Sequence, residues 1–238
     1  MQERRKIYTS FRELSPSEYM YFPKGTLETG KPGKFSRIEI QHLLIAMSVL
    51  TLAFSFVFSP IYNFSLSRYI IALPISFLGI LTAFFVHELS HKFMAQKYGL
   101  WSEFRMNLRN LLLSLVFAML TGFVFAAPGA VMFRGEARTH ETGIIAAAGP
   151  TANIVTAAIT YPLSFALFDT DFGGINLGSV LIFICFINSI LAFFNLFPIW
   201  HFDGGKIIRW NGIVWAFLFI CSIILLAFNL QRGIAFPG

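Results

Sequence analysis

Residues 69–97 read YIIALPISFLGILTAFFVHELSHKFMAQK, and the place of His87-Glu88-Leu89-Ser90-His91 in that run decides how the chain folds. No charged side chain occurs from 69 to 86, so the run approaches the roughly 20 residues a helix needs to cross a hydrocarbon core. Histidines four positions apart lie one turn from each other on one face of a helix. Both imidazoles can therefore reach a single metal ion, and Glu88, beside the first, can take a proton from a water at that ion. Ionisable side chains inside a membrane-length helix are costly and mark function.

Composition supports the same solvent. Of 238 residues, 56% are hydrophobic and 13% charged, and the mean hydropathy is +0.67; a soluble domain carries about 25% charged residues. The chain is therefore expected to be an all-α polytopic membrane protein in contact with the lipid bilayer. The net charge of +6 gathers near segment ends, where Lys and Arg set topology, and does not indicate nucleic-acid binding. The run Arg4-Arg5-Lys6 reads as a cytoplasmic anchor near anionic lipid. Cys185 and Cys221 lie in apolar stretches without CxxC spacing and read as buried thiols. The polar start is not that of a signal peptide.

Residues 1–40 read as a polar cytoplasmic arm and 41–238 as one transmembrane domain, its motif-bearing core at about 69–210. Apolar runs at 43–57, 69–97, 142–168, 177–199 and 212–230 give spanning helices. Lys92, Lys97, Arg105 and Arg109 put the end of the second helix in the cytoplasm. Residues 111–127 are apolar but lie between Arg109 and the pair Arg134 and Arg138. If both flanks are cytoplasmic, the segment enters and leaves on one side. This predicts a re-entrant element followed by a strand-like Ala130-Val131-Met132-Phe133; a single crossing helix is the other reading. The count is thus five to six transmembrane helices, with a re-entrant or strand-containing segment after the HExxH helix.

Zinc in a catalytic site needs a third protein ligand and an open position. His42, His140, His201, Asp203 and other carboxylates are the candidates. His87 and His91 lie about 9–15 Å from the cytoplasmic end of their helix at 1.5 Å per residue. The fourth helix ends near Pro198, and Gly204-Gly205 permits a tight turn that can tuck Asp203 back toward the histidines.

At these residues the chain resembles the site-2 protease family of intramembrane zinc metalloproteases, in a compact form without PDZ or CBS domains. The resemblance rests on three elements in order: HExxH at His87, Glu88 and His91; Ala148-Gly149-Pro150-Thr151-Ala152-Asn153; and NxxPxxxxDG at Asn195, Pro198, Asp203 and Gly204. It implies that His87, His91 and Asp203 hold one zinc ion and that Glu88 is general base and acid. Asn153 and Asn195 are implied as substrate-binding or transition-state support. The plainer readings are a helix-packing hydrogen bond for Asn153 and a helix-end cap for Asn195. Trp200-His201 departs from the small or proline-containing residues of the family pattern; His201 can compete for the metal, bind substrate, or face the cytoplasmic interface, the last being favoured.

The expected activity is hydrolysis of peptide bonds in transmembrane protein segments, near the cytoplasmic face of the cell membrane. The opposing reading is a non-proteolytic zinc-binding carrier or scaffold. Retention of Glu88 and Asp203, and the scarcity of polar residues in the outer halves of the helices, favour the enzyme.

Overall fold

The computed structural model describes residues 33–122, 124, 128–134, 137–199 and 202–232. Most of the polar arm expected over 1–40 therefore lies outside the described residues, as does His201. Helix α1, Arg37–Phe58, begins where Ser36 accepts the Glu39 N–H as N-cap. A short turn closed by Ser59 and Ser65 leads to α2, Leu66–Ile80, a π-helical turn, Leu81–Phe85, and α3, Val86–Lys97. These three form one continuous 32-residue rod carrying the HExxH motif. The remaining long helices are α5, Thr139–Ala166, α6, Leu177–Asn195, and α8, Gly212–Arg232. With α1 and the rod, they make, among the described residues, five helices long and apolar enough to cross a membrane, as a polytopic all-α protein requires.

Between α3 and α5 the chain does something a helix count does not reveal. Strand β1, Trp101–Met106, pairs antiparallel with β2, Gly129–Arg134, from Trp101 opposite Arg134 to Met106 opposite Gly129. Helix α4, Leu108–Thr121, lies between them and ends at Gly122 in the left-handed conformation. Asn107 N–H donates to the Pro128 carbonyl at 2.7 Å, so the segment leaves and returns at one end of the bundle, as the flanking arginines imply. The expected strand at Ala130–Phe133 is present; its partner β1 lay in a stretch read only for its positive charge.

The rest of the path follows the apolar runs. The turn after α5 contains a two-residue hairpin, β3 (Asp171–Phe172) with β4 (Ile175–Asn176). Between the last two long helices lies a further helix, α7, Asp203–Trp210. Trp215 Nε1 donates to the Leu196 carbonyl at 2.8 Å, satisfying an end of α6 that has no partner in its own helix. Helix α5 is central, packing along α6 and against α3 and α7.

The bundle has a polar end and an opposite end. The starts of α1, α5 and α8, the ends of α3 and α6, the ribbon and α7 share the first. Pro60 of the α1–α2 turn, which approaches Gly122, belongs to the second.

Helix α7 starts directly under the end of α6. A Cβ placed on Gly204 would sit 2.1 Å from the Leu196 carbonyl oxygen and 2.5 Å from that of Phe197. Both obstacles are backbone and cannot rotate away. Gly204→Ala is expected to lower stability by about 2 kcal/mol or more, seen as a reduced thermal midpoint in detergent.

Candidate metal centre

Three local breaks in helical regularity lie next to the site. The π turn precedes His87 by one residue; such turns recur at functional sites. Within it, the Ala83 carbonyl accepts Asn153 Nδ2 at 3.2 Å. Helix α5 carries Pro150 in its interior, which supplies no N–H to the ladder. In the preceding turn, the Ile145 carbonyl accepts His91 Nδ1–H at 2.8 Å. After α6 stops at Asn195, the chain passes Pro198 and re-forms as α7 with Asp203 as its first residue.

Beside these breaks His87, His91 and Asp203 lie together, each buried. The two Nε2 atoms are 3.0 Å apart. Asp203 Oδ2 is 3.0 Å from His91 Nε2 and 3.5 Å from His87 Nε2. Three ligand atoms on a tetrahedral zinc, at its usual bond lengths, are separated by about 3.3 Å. The tautomers fit as well. Asn153 Nδ2 is engaged by Ala83, so its Oδ1 accepts His87 Nδ1–H at 3.1 Å. The Ile145 carbonyl can only accept, so His91 also carries its proton on Nδ1. Both Nε2 lone pairs then face each other and a carboxylate oxygen, an arrangement that a shared cation resolves. A backbone carbonyl or amide oxygen behind each ligating imidazole is the usual outer layer of a metal site. The cluster is compatible with a single zinc site.

Lys206 Nζ lies 3.1 Å from Asp203 Oδ1, leaving Oδ2 for the histidine side.

Glu88, also buried, holds Oε2 at 2.9 Å from the Val131 N–H of β2. A cavity of about 380 Å³ opens at this point. It is lined by the cluster, Glu88, Asn195 and Lys206 and by apolar side chains that include Leu50, Phe54, Ile80, Ile187 and Leu191. Asn195 lines it while donating to the Leu191 carbonyl of its own helix. Asn153, by contrast, is fully buried behind His87 and faces the imidazole.

The other ligand candidates lie elsewhere. His42 Nδ1 accepts Met106 N–H at 3.4 Å, and His140 is exposed in the first turn of α5. Gly149, part of the Ala148–Asn153 motif, faces the cluster directly. A Cβ there would lie 2.4 Å from His91 Nε2 and 2.6 Å from His87 Nε2, so only glycine leaves those lone pairs accessible.

A protein of the archaeon Methanocaldococcus jannaschii named "Putative zinc metalloprotease MJ0611" is 39% identical over 188 residues, spanning 77% of this chain and 90% of that protein. This agrees with the resemblance carried by the three motifs. No family model and no solved structure matches the chain.

Two substitutions test the site as built. Gly149→Ala is expected to leave a folded protein that no longer retains zinc through purification, measured by metal analysis. Asn153→Ala, which frees the Nδ1 side of His87, is expected to weaken zinc affinity about 10- to 100-fold, measured by competition with a chelator.

Proposed function

This chain belongs to the zinc metalloprotease family of its archaeal relative, and from that premise we propose that it is an intramembrane endopeptidase of the site-2 type. Its substrates are transmembrane protein segments, cleaved near the cytoplasmic side of the bilayer. The observation that carries this reading is the convergence of His87, His91 and Asp203 with Glu88 in the lining of one cavity, among helices of membrane-spanning length.

His87, His91 and Asp203 would hold zinc, which supplies Lewis-acid activation of water and of the scissile carbonyl. Glu88 accepts the proton of the attacking water and returns it to the leaving amine. The Val131 N–H holds Oε2 of Glu88, leaving Oε1 to handle the proton. Asn153 and the Ile145 carbonyl keep the imidazoles in the ligating tautomer. The apolar side chains lining the cavity suit a substrate side chain drawn from a membrane segment. A substrate helix hides its peptide bonds, so it must unwind locally. Gly129, Val131 and Phe133 of β2 line the cavity, and an unwound segment can lie along them by β-augmentation. The basic residues at the cluster end of the bundle, among them Arg37, Lys97, Arg105, Arg134 and Arg138, favour a cytoplasmic location for that end and for the N-terminus.

The test is cleavage of a labelled transmembrane peptide by protein reconstituted in vesicles, with and without chelator. Zinc-dependent cleavage is expected. Zinc binding without cleavage of membrane peptides would instead support a carrier or scaffold. Glu88→Gln should abolish cleavage and leave one zinc bound, whereas Asp203→Ala should lose the zinc. Full activity in Glu88→Gln sinks the mechanism.

A further inference from the structure

Glu39 and Lys92 belong neither to the metal cluster nor to the cavity, yet they are the most deeply buried ion pair among the described residues, at 0% and 1% exposure. Lys92 Nζ reaches both carboxylate oxygens of Glu39, at 2.8 and 2.6 Å, and the Ser102 carbonyl at 3.2 Å. It also stands 4.4 Å from the centre of the Phe35 ring. Ser102 Oγ returns a bond to the Lys92 carbonyl at 3.1 Å. Helices α1 and α3 and strand β1 are thereby tied at one point, one residue beyond His91.

Glu39 has a further contact. Its Oε1 accepts the Phe104 N–H at 3.0 Å. Phe104 stands directly opposite Val131 in the ribbon, and the Val131 N–H is the one that holds Glu88. At alternate pairs of an antiparallel ribbon both N–H groups point outward, away from the partner strand. Here the two outward N–H groups of a single pair end on two buried carboxylates. Glu39 takes the β1 edge and Glu88 takes the β2 edge. The Phe104 side chain is locked in the same place, edge-on to Phe84 of the π turn with ring centres 5.4 Å apart.

A buried ion pair is poor value as packing, because apolar residues of similar volume stabilise as well. What this pair adds is an acceptor aimed at Phe104. We infer that Glu39 is a positioning residue for the proton transfer carried out by Glu88. Its bond to Phe104 sets the lateral position of the ribbon, and the ribbon presents the Val131 N–H that fixes Glu88. This role rests on the reading of Glu88 as the base.

Removing either charge alone would strand the other, so the test removes both. Lys92→Met is combined with Glu39→Gln, whose amide oxygen still accepts from Phe104, or with Glu39→Met, a chain of similar size with no acceptor. Zinc content, thermal midpoint, kcat and KM are measured on full-length protein with the labelled transmembrane peptide. Both variants are expected to carry one zinc. The Gln variant keeps kcat within about threefold of the parent, and the Met variant loses about 30-fold in kcat at unchanged KM. Equal kcat in the two variants at full zinc content, whether high or low, overturns the inference.

Val131→Pro is the companion measurement if the Met variant fails to accumulate. It removes the outward N–H without breaking a ribbon bond and should show the same loss in kcat. Parental kcat in that variant with zinc bound overturns the inference. Absence of any cleavage by the parent overturns the peptidase reading and this role with it, whereas a cleaving parent with equal variants overturns this role alone.

Discussion

Two imidazole lone pairs and a carboxylate oxygen meet within 3.5 Å, inside a bundle whose outer surface is apolar. Such a meeting is repulsive in those tautomers and favours a shared cation. Much of the surrounding architecture can be understood as the means of enforcing it. Asn153 and the Ile145 carbonyl hold the ring protons on the far side. Gly149 leaves the space in front of the rings. Lys206 draws the second oxygen of Asp203 away.

The helices that supply these groups are irregular where they supply them. The rod containing α2 and α3 has a π turn one residue before the first histidine. Helix α5 carries a proline beside Gly149, and α6 ends eight positions before Asp203. Regular helices satisfy their own backbone and present only side chains. Beside these breaks two backbone groups, the Ala83 and Ile145 carbonyls, also accept side-chain bonds in the site.

The β1–β2 ribbon poses the reverse problem, because its edges carry backbone donors that a membrane bundle must satisfy. At Phe104 and Val131 both donors end on carboxylates, and one of these belongs to the chemical centre. The position of Glu88 is thus coupled to a strand more than 40 residues away in sequence. This coupling could not be read from the chain. Trp101–Met106 looked like a charged helix exit, and its strand character depends on β2 being available to pair. Lys92 counted as a topology signal, yet it is buried against Glu39, 53 positions earlier. Its sequence neighbours give no sign of that partner.

By itself the sequence indicated five long apolar helices and, through the resemblance carried by three motifs, the residues His87, His91 and Asp203 that the structure brings together, while for residues 111–127 it allowed both a re-entrant element and a crossing helix. Helix formation and membrane length are local properties of apolar runs, charge placement constrains the direction of each crossing, and the three motifs name the candidate ligands. Only the tertiary structure decided how those ligands are oriented. The tautomers depend on Asn153 and Ile145, the accessible lone pairs on Gly149, and the aim of Glu88 on a ribbon edge. Each of these is a contact between elements distant in sequence, and its geometry exists only once the helices have packed.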